Sequence, residues 1–92
     1  MSNTPWTADK AARNLEKHEI SFELADAFEW ESALFTIDVR KDYGEVRYVA
    51  IGFIGVRLYT LVFTIRDGRA WLISLRKSHK KEAKHYAKSI EA

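Results

Sequence analysis

Cysteine is absent from the 92 residues, which excludes disulfide scaffolds, thiolate metal sites and thiol catalysis. The four glycines form no phosphate-cradling loop. No apolar run approaches the roughly 18 residues of a membrane span. The opening MSNTPWTADK lacks the apolar core of a secretory leader. His-x-Glu-x-x-His and Gly-x-Ser-x-Gly are both missing, and His18, His79 and His85 have no metal-ligand spacing. No metal, no cofactor and no membrane contact are therefore expected. What is present is a 47% hydrophobic fraction, with 13% aromatic residues, enough for a folded core rather than a disordered chain. The length fits one domain over residues 1–92, with a stability on the order of 5–10 kcal/mol.

The net charge of +2 conceals a segregation. Residues 1–46 hold five basic and ten acidic residues, a balance of −5, whereas residues 47–92 hold ten and three, a balance of +7. Chance in a short chain is one reading. The other is a polarised surface whose basic end meets RNA, DNA or an acidic protein.

The element order reads ααββββα, an α+β fold. Thr7 can cap a helix over 8–18, with Ala8, Ala11, Ala12 and Leu15 as its apolar stripe. Ser21 can cap a second helix over 22–31, with Phe22, Ala25 and Phe28 inward and Leu24 and Ala27 widening that face. About three residues join the two, giving a helical hairpin. The period then changes to two over Leu34–Val39, Val46–Phe53, Arg57–Arg66 and Ala70–Arg76. Turns fall at 41–44, 54–56 and 67–69, and links this short favour antiparallel pairing. Ser78 can cap a closing helix over 79–90, with His79, Ala83, Tyr86 and Ile90 inward.

The last hairpin admits two registers. A two-residue Asp67-Gly68 turn sets Thr64 opposite Trp71 and mixes polar with apolar groups on each face. Looping out Asp67-Gly68-Arg69 segregates them: Thr60, Val62, Thr64, Arg66, Ala70, Leu72, Ser74 and Arg76 share one face, and Tyr59, Leu61, Phe63, Ile65, Trp71, Ile73 and Leu75 the other. Register follows burial, so an odd-length connection or a bulge is expected, with the helices on the aromatic face. Thr64 opposite Trp71 would contradict this.

Arg66 and Arg76 on one face form a candidate phosphodiester grip, since arginine clamps phosphate bidentately. Arg76-Lys77 runs on to Lys80, Lys81, Lys84 and Lys88, either a solvated helix face or a nucleic-acid surface. Backbone amides near Ser78 add anion-binding capacity. His18, after Lys17 at a helix end, is either packed and dipole-stabilised or a general acid or base. Glu45 and Arg47 can form a local ion pair worth under about 1 kcal/mol. Tyr86 packs the last helix on the sheet.

Four segments in order resemble one known family: Asn14-Leu15-Glu16-Lys17-His18 with Ser21-Phe22-Glu23; Glu45-Val46-Arg47-Tyr48 with Ile51-Gly52; Thr64-Ile65-Arg66 with Ile73-Ser74-Leu75-Arg76-Lys77; and Glu82 with Tyr86. The chain resembles the BrnT toxins of type II toxin–antitoxin systems over about residues 6–86. The resemblance implies a RelE-like ribonuclease fold and a bacterial cytoplasmic toxin that cleaves RNA and halts growth. It also implies a BrnA-like antitoxin with a ribbon–helix–helix DNA-binding domain. Operator DNA is then met only through the complex, within which the toxin dimerises. Departures are Glu19, where the family has the glycine that favours a left-handed helix stop, Trp71 and Leu75 in place of smaller or polar residues, and Ser78 in place of Thr.

The expected activity is metal-independent RNA cleavage by the 2′-hydroxyl. Arg66 and Arg76 clamp the phosphate, Lys17 and Lys77 support them, and His18 is the acid/base, with Tyr86 or Glu45 as substitutes. Arg47, Lys77, Lys80, Lys81 and Lys84 would bind the strand. The alternatives are a non-catalytic module binding nucleic acid or antitoxin, and a toxin acting on a target other than RNA.

Overall fold

The computed structural model describes residues 4–39 and 42–91, so Lys41 of the first expected turn lies outside the described residues. Helix α1 spans Ala8–His18; the Thr7 side chain accepts from the Lys10 N–H and closes its first turn. A 3-10 helix follows at Phe22–Ala27, opened by the Ser21 side chain accepting from the Glu23 N–H. Four strands form one antiparallel sheet in the order β1-β2-β3-β4: β1 Leu34–Asp38, β2 Arg47–Ile54, β3 Arg57–Arg66 and β4 Arg69–Lys77. Helix α2 covers Lys80–Glu91.

The second expected α-helix is a 3-10 turn and stops earlier. Phe22, Ala25 and Phe28 stand three apart, and three residues per turn put them in one buried line on the sheet. Leu24 and Ala27 fall off that line and remain exposed. Phe28 reaches β2 because position 52 is glycine: a Cβ there would lie 2.7 Å from the Phe28 ring. Phe22, Ala25 and Phe28 close over Ala50, Leu61, Phe63, Leu72 and Leu75, the core face of the sheet. That face is the aromatic one expected to hold the N-terminal elements.

Helix α1 turns a different stripe inward. Leu15 is 54% exposed, and Ala8 and Ala12 are also exposed, whereas Asn14 is buried and Lys10, Ala11 and His18 are half-buried. The Asn14 carboxamide donates to the Leu75 carbonyl at 2.9 Å and accepts from the Leu75 N–H at 2.9 Å. It thus imitates a neighbouring strand at the outer edge of β4. The Pro5 carbonyl accepts from the Leu72 N–H on the same edge. A polar residue is buried here because an edge strand needs partners for its backbone.

Glu19 adopts the left-handed conformation, φ 57° and ψ 34°, and its N–H donates to the Leu15 carbonyl. The tight turn forms despite the missing glycine, at a conformational cost of roughly 1 kcal/mol. Glu19→Gly is therefore expected to raise the thermal midpoint by about 4–8 °C, read by circular dichroism.

The last hairpin uses both registers. Asp67 and Gly68, at φ 52° and 74°, make a two-residue turn, and Thr64 does lie opposite Trp71. The three-residue loop is overturned. A bulge then shifts the register between Val62 and Phe63, so that Thr60 pairs with Arg76 and Leu61 with Leu75, as the segregating register requires. On the turn side of the bulge the expected faces are exchanged, with Ala70 and Leu72 toward the core and Trp71 on the polar face; beyond it the bulge returns Leu75 to the core.

The polar face is not fully open. Helix α2 crosses one end of it, with the Tyr86 ring edge-on to Phe53 and its hydroxyl donating to the Ser32 carbonyl. Ile90 stays 68% exposed and His79 is exposed as well, so the expected four-residue stripe reduces to Ala83 and Tyr86. Ser78 does not cap α2. Its hydroxyl bonds Thr60, and His79 takes the cap position, its carbonyl accepting from the Ala83 N–H. Thr60 and Thr64 are buried, the latter donating to the Val46 carbonyl.

Candidate functional site

The face opposite the core forms a trough running from Tyr43, Glu45 and Arg66 at one end to Arg76, His18 and His79 at the other. Its floor is Val62, Thr64, Ile73 and Ser74, from β3 and β4. One wall is α1. Lys10, Arg13, Asn14, Lys17 and His18 recur at positions i, i+3, i+4, i+7 and i+8, a single helical face that lines the trough.

At the far end, His18, Lys17 and Arg76 converge as expected from the sequence. Arg76 is held by Glu82 in a two-pronged pair, Nη1 to Oε1 at 2.7 Å and Nη2 to Oε2 at 2.8 Å. The same carboxylate accepts from the His79 N–H at 2.7 Å, a capping contact that locks the start of α2. Burial alone would raise the Glu82 carboxyl, but the Arg76 fork and the His79 N–H outweigh it and hold it at about 2. Nη1 also donates to the Lys77 carbonyl at 3.4 Å, whereas Nη2 keeps its second N–H for a ligand. His18 feels burial first, then the charges of Lys17 and Arg76, and all lower its pKa below 6.5. Its imidazole is therefore mostly neutral at pH 7 and able to accept a proton.

At the near end, Arg66 Nη2 donates to Glu45 Oε1 at 2.9 Å, and Arg47 Nε lies 3.6 Å from Glu45 Oε2. The expected Glu45–Arg47 pair thus has a third member. The Arg66 hydrogen bond is the main reason the Glu45 carboxyl sits below its usual range. The Arg47 guanidinium stacks 3.8 Å above the Tyr43 ring.

Other sequence-derived candidates stand apart. Tyr86 is buried, with its hydroxyl engaged by Ser32. Lys77, Lys80, Lys81 and Lys84 are exposed beyond the Arg76 end and line neither hollow of the trough. The residues missed from the sequence are Lys10, Arg13, Trp71, His79 and Glu82. The helical spacing of Lys10 and Arg13 with Lys17 was the available signal for α1, and Glu82 three places after His79 was the signal for the cap. For Trp71 the signal was the two-residue Asp67-Gly68 turn, which sets it opposite Thr64. Among the described residues, no group of three or more His, Cys, Asp or Glu side chains is arranged to hold a metal ion, and no helix is long and apolar enough to cross a membrane.

The family model described as "Ribonuclease toxin, BrnT, of type II toxin-antitoxin system" matches residues 6–82. Comparison with curated proteins gives no match. The crystal structure of the Brucella abortus ribonuclease toxin, BrnT, is similar to this one with a TM-score of 0.61 at 23% identity, over 84% of this chain and 96% of that one. That likeness carries the fold, an α+β arrangement of one antiparallel sheet flanked by helices. The family match spans most of the sequence, including every residue named in the trough's floor and α1 wall, and by it the chain belongs to the BrnT family of ribonuclease toxins of type II toxin–antitoxin systems.

Proposed function

We propose that this chain is a metal-independent endoribonuclease that lets RNA supply its own nucleophile. The observation that carries this reading is the meeting of a neutral imidazole, His18, with a preorganised guanidinium, Arg76, in one cationic hollow. The ribose 2′-oxygen attacks the adjacent phosphorus while His18 takes its proton. Arg76, supported by Lys17, and Arg66 further along the strand stabilise the negative charge that builds on phosphate. The bond from phosphorus to the 5′-oxygen then breaks; that oxygen takes a proton from water, and His18 returns its proton to solvent. The products are a 2′,3′-cyclic phosphate and a 5′-hydroxyl. Glu45, held ionised by Arg66, suits a base rather than an acid. Lys77, Lys80, Lys81 and Lys84 extend the basic surface on which the strand lies.

The same reading has the chain as a single RelE-like toxin domain acting in the bacterial cytoplasm. A BrnA-like ribbon–helix–helix antitoxin neutralises it and carries a toxin dimer to operator DNA. The test is incubation of purified RNA with the protein in EDTA, followed by end-group analysis. Cyclic phosphate ends at discrete positions are expected. RNA recovered intact, or cutting abolished by EDTA, would overturn the reading.

One observation favours a second reading. Both arginines already hold a carboxylate, as they would in a module that grips nucleic acid or an acidic antitoxin without cutting. Such a module binds RNA with a salt slope of about −0.7 per phosphate contact and releases it whole.

A further inference from the structure

The two-residue turn of the last hairpin sets Trp71 opposite Thr64 and on the trough, where its indole lines a hollow of about 240 Å³ at the Arg66 end. Tyr43 and Arg47 line the same hollow. Lys10, Arg47 and Arg66 make it cationic against the single carboxylate of Glu45. Among the described residues, two buried side-chain donors lack a hydrogen-bond partner, Trp71 Nε1 and Arg47 Nε, and both belong to residues of this hollow. Arg47 Nε lies 3.6 Å from Glu45, too far for a hydrogen bond. Buried donors without acceptors are costly, and native structures keep few of them. Aromatic rings, guanidinium planes and unmet donors together fit a planar ligand that carries acceptors on its rim and an anion beside it.

We propose that this hollow is a nucleobase subsite, which holds a base of single-stranded RNA at the Arg66 end of the trough, along the strand from the phosphate gripped by Arg76. This rests on the ribonuclease reading of the same trough. The base lies against the Trp71 and Tyr43 walls, and its ring carbonyls are the acceptors for the two donors. Neither donor is open to solvent in the empty hollow, so the side chains that cover them shift as the base enters. Arg66 and Lys10 meet the phosphate that follows. The hollow thereby gives the protein a preference for the base that occupies the Arg66 end, in addition to its grip on the backbone.

The test uses a 2′-O-methyl hexanucleotide, which cannot be cut through the 2′-oxygen, and an abasic strand of the same length, each titrated by fluorescence anisotropy. The full chain should bind the base-bearing strand more tightly. Trp71→Leu should weaken that binding about tenfold or more and leave the abasic strand within about twofold, while Trp71→Phe keeps most of the affinity. In cleavage of ordinary RNA, Trp71→Leu should raise KM and leave kcat nearly unchanged. Equal loss for both strands marks a structural role and overturns the subsite, and so does no loss for either. Loss of antitoxin affinity with RNA affinity intact assigns the hollow to a protein partner instead. A wild-type chain that binds neither strand overturns the ribonuclease reading itself. If Trp71→Leu does not fold, Tyr43→Leu, which lines the same hollow, makes the same comparison.

Discussion

Arg76→Ala should slow RNA cleavage roughly 10²- to 10³-fold, the usual loss when one preorganised donor to a developing negative charge is removed. Arg76 reaches into the hollow shared with His18 and Lys17, and Glu82 fixes its guanidinium from two sides before any ligand arrives. Arg76→Lys keeps the charge but loses the fork, so it should recover only a small part of the rate. A wild-type rate in Arg76→Ala would place the chemistry elsewhere. The same substitution has a second signature in stability. In the wild type, Glu82 sits at about 2, below its ordinary 4.5. A carboxyl depressed on folding adds stability that is complete above about pH 4.5 and is lost as the pH falls through 2. Without Arg76 the Glu82 carboxyl moves up, so acid unfolding should begin at a higher pH, as followed by circular dichroism. The two readouts separate a lost catalytic donor from a collapsed fold: at neutral pH the variant should remain folded and inactive.

Asn14→Ala should destabilise the fold by roughly 3 kcal/mol, since buried polar groups left unpaired cost about 1–3 kcal/mol each. The carboxamide serves both backbone groups of Leu75 and also donates to the Ile20 carbonyl at 3.0 Å. It therefore ties α1, the turn after it and the edge of β4 in one contact. For a domain of this size that loss lowers the thermal midpoint by more than about 10 °C. Asn14→Asp keeps an acceptor for the Leu75 N–H but sets a carboxylate against two carbonyls. Its destabilisation should grow as pH rises and the new group ionises. A denaturation midpoint within about 2 °C of wild type in Asn14→Ala would show that the edge of β4 needs no such partner.

Much of the architecture was legible in the amino-acid sequence because it depends on local period and turn chemistry. The 8–18 helix with its Thr7 cap, the four strands and their antiparallel order, and the closing helix all follow from residues within a few positions of one another. Arg76 at a strand end and Lys17-His18 at a helix end were each legible as candidates, but their meeting came only with the family resemblance, and the charge division missed α1, whose Lys10, Arg13 and Lys17 come from the acidic half. Three features were decided only by tertiary structure. Asn14 is buried because a distant strand edge lacks partners, a need that no helical periodicity records. The second helix tightens to a 3-10 turn because the sheet accepts side chains spaced at three. Trp71 lies on the functional face because the two-residue turn sets it opposite Thr64, and the bulge beyond it returns Leu75 to the core. Local preference sets each strand and turn separately. Only the packed sheet decides which of two conflicting registers each half of the hairpin adopts, because burying the apolar face outweighs an unbroken ladder.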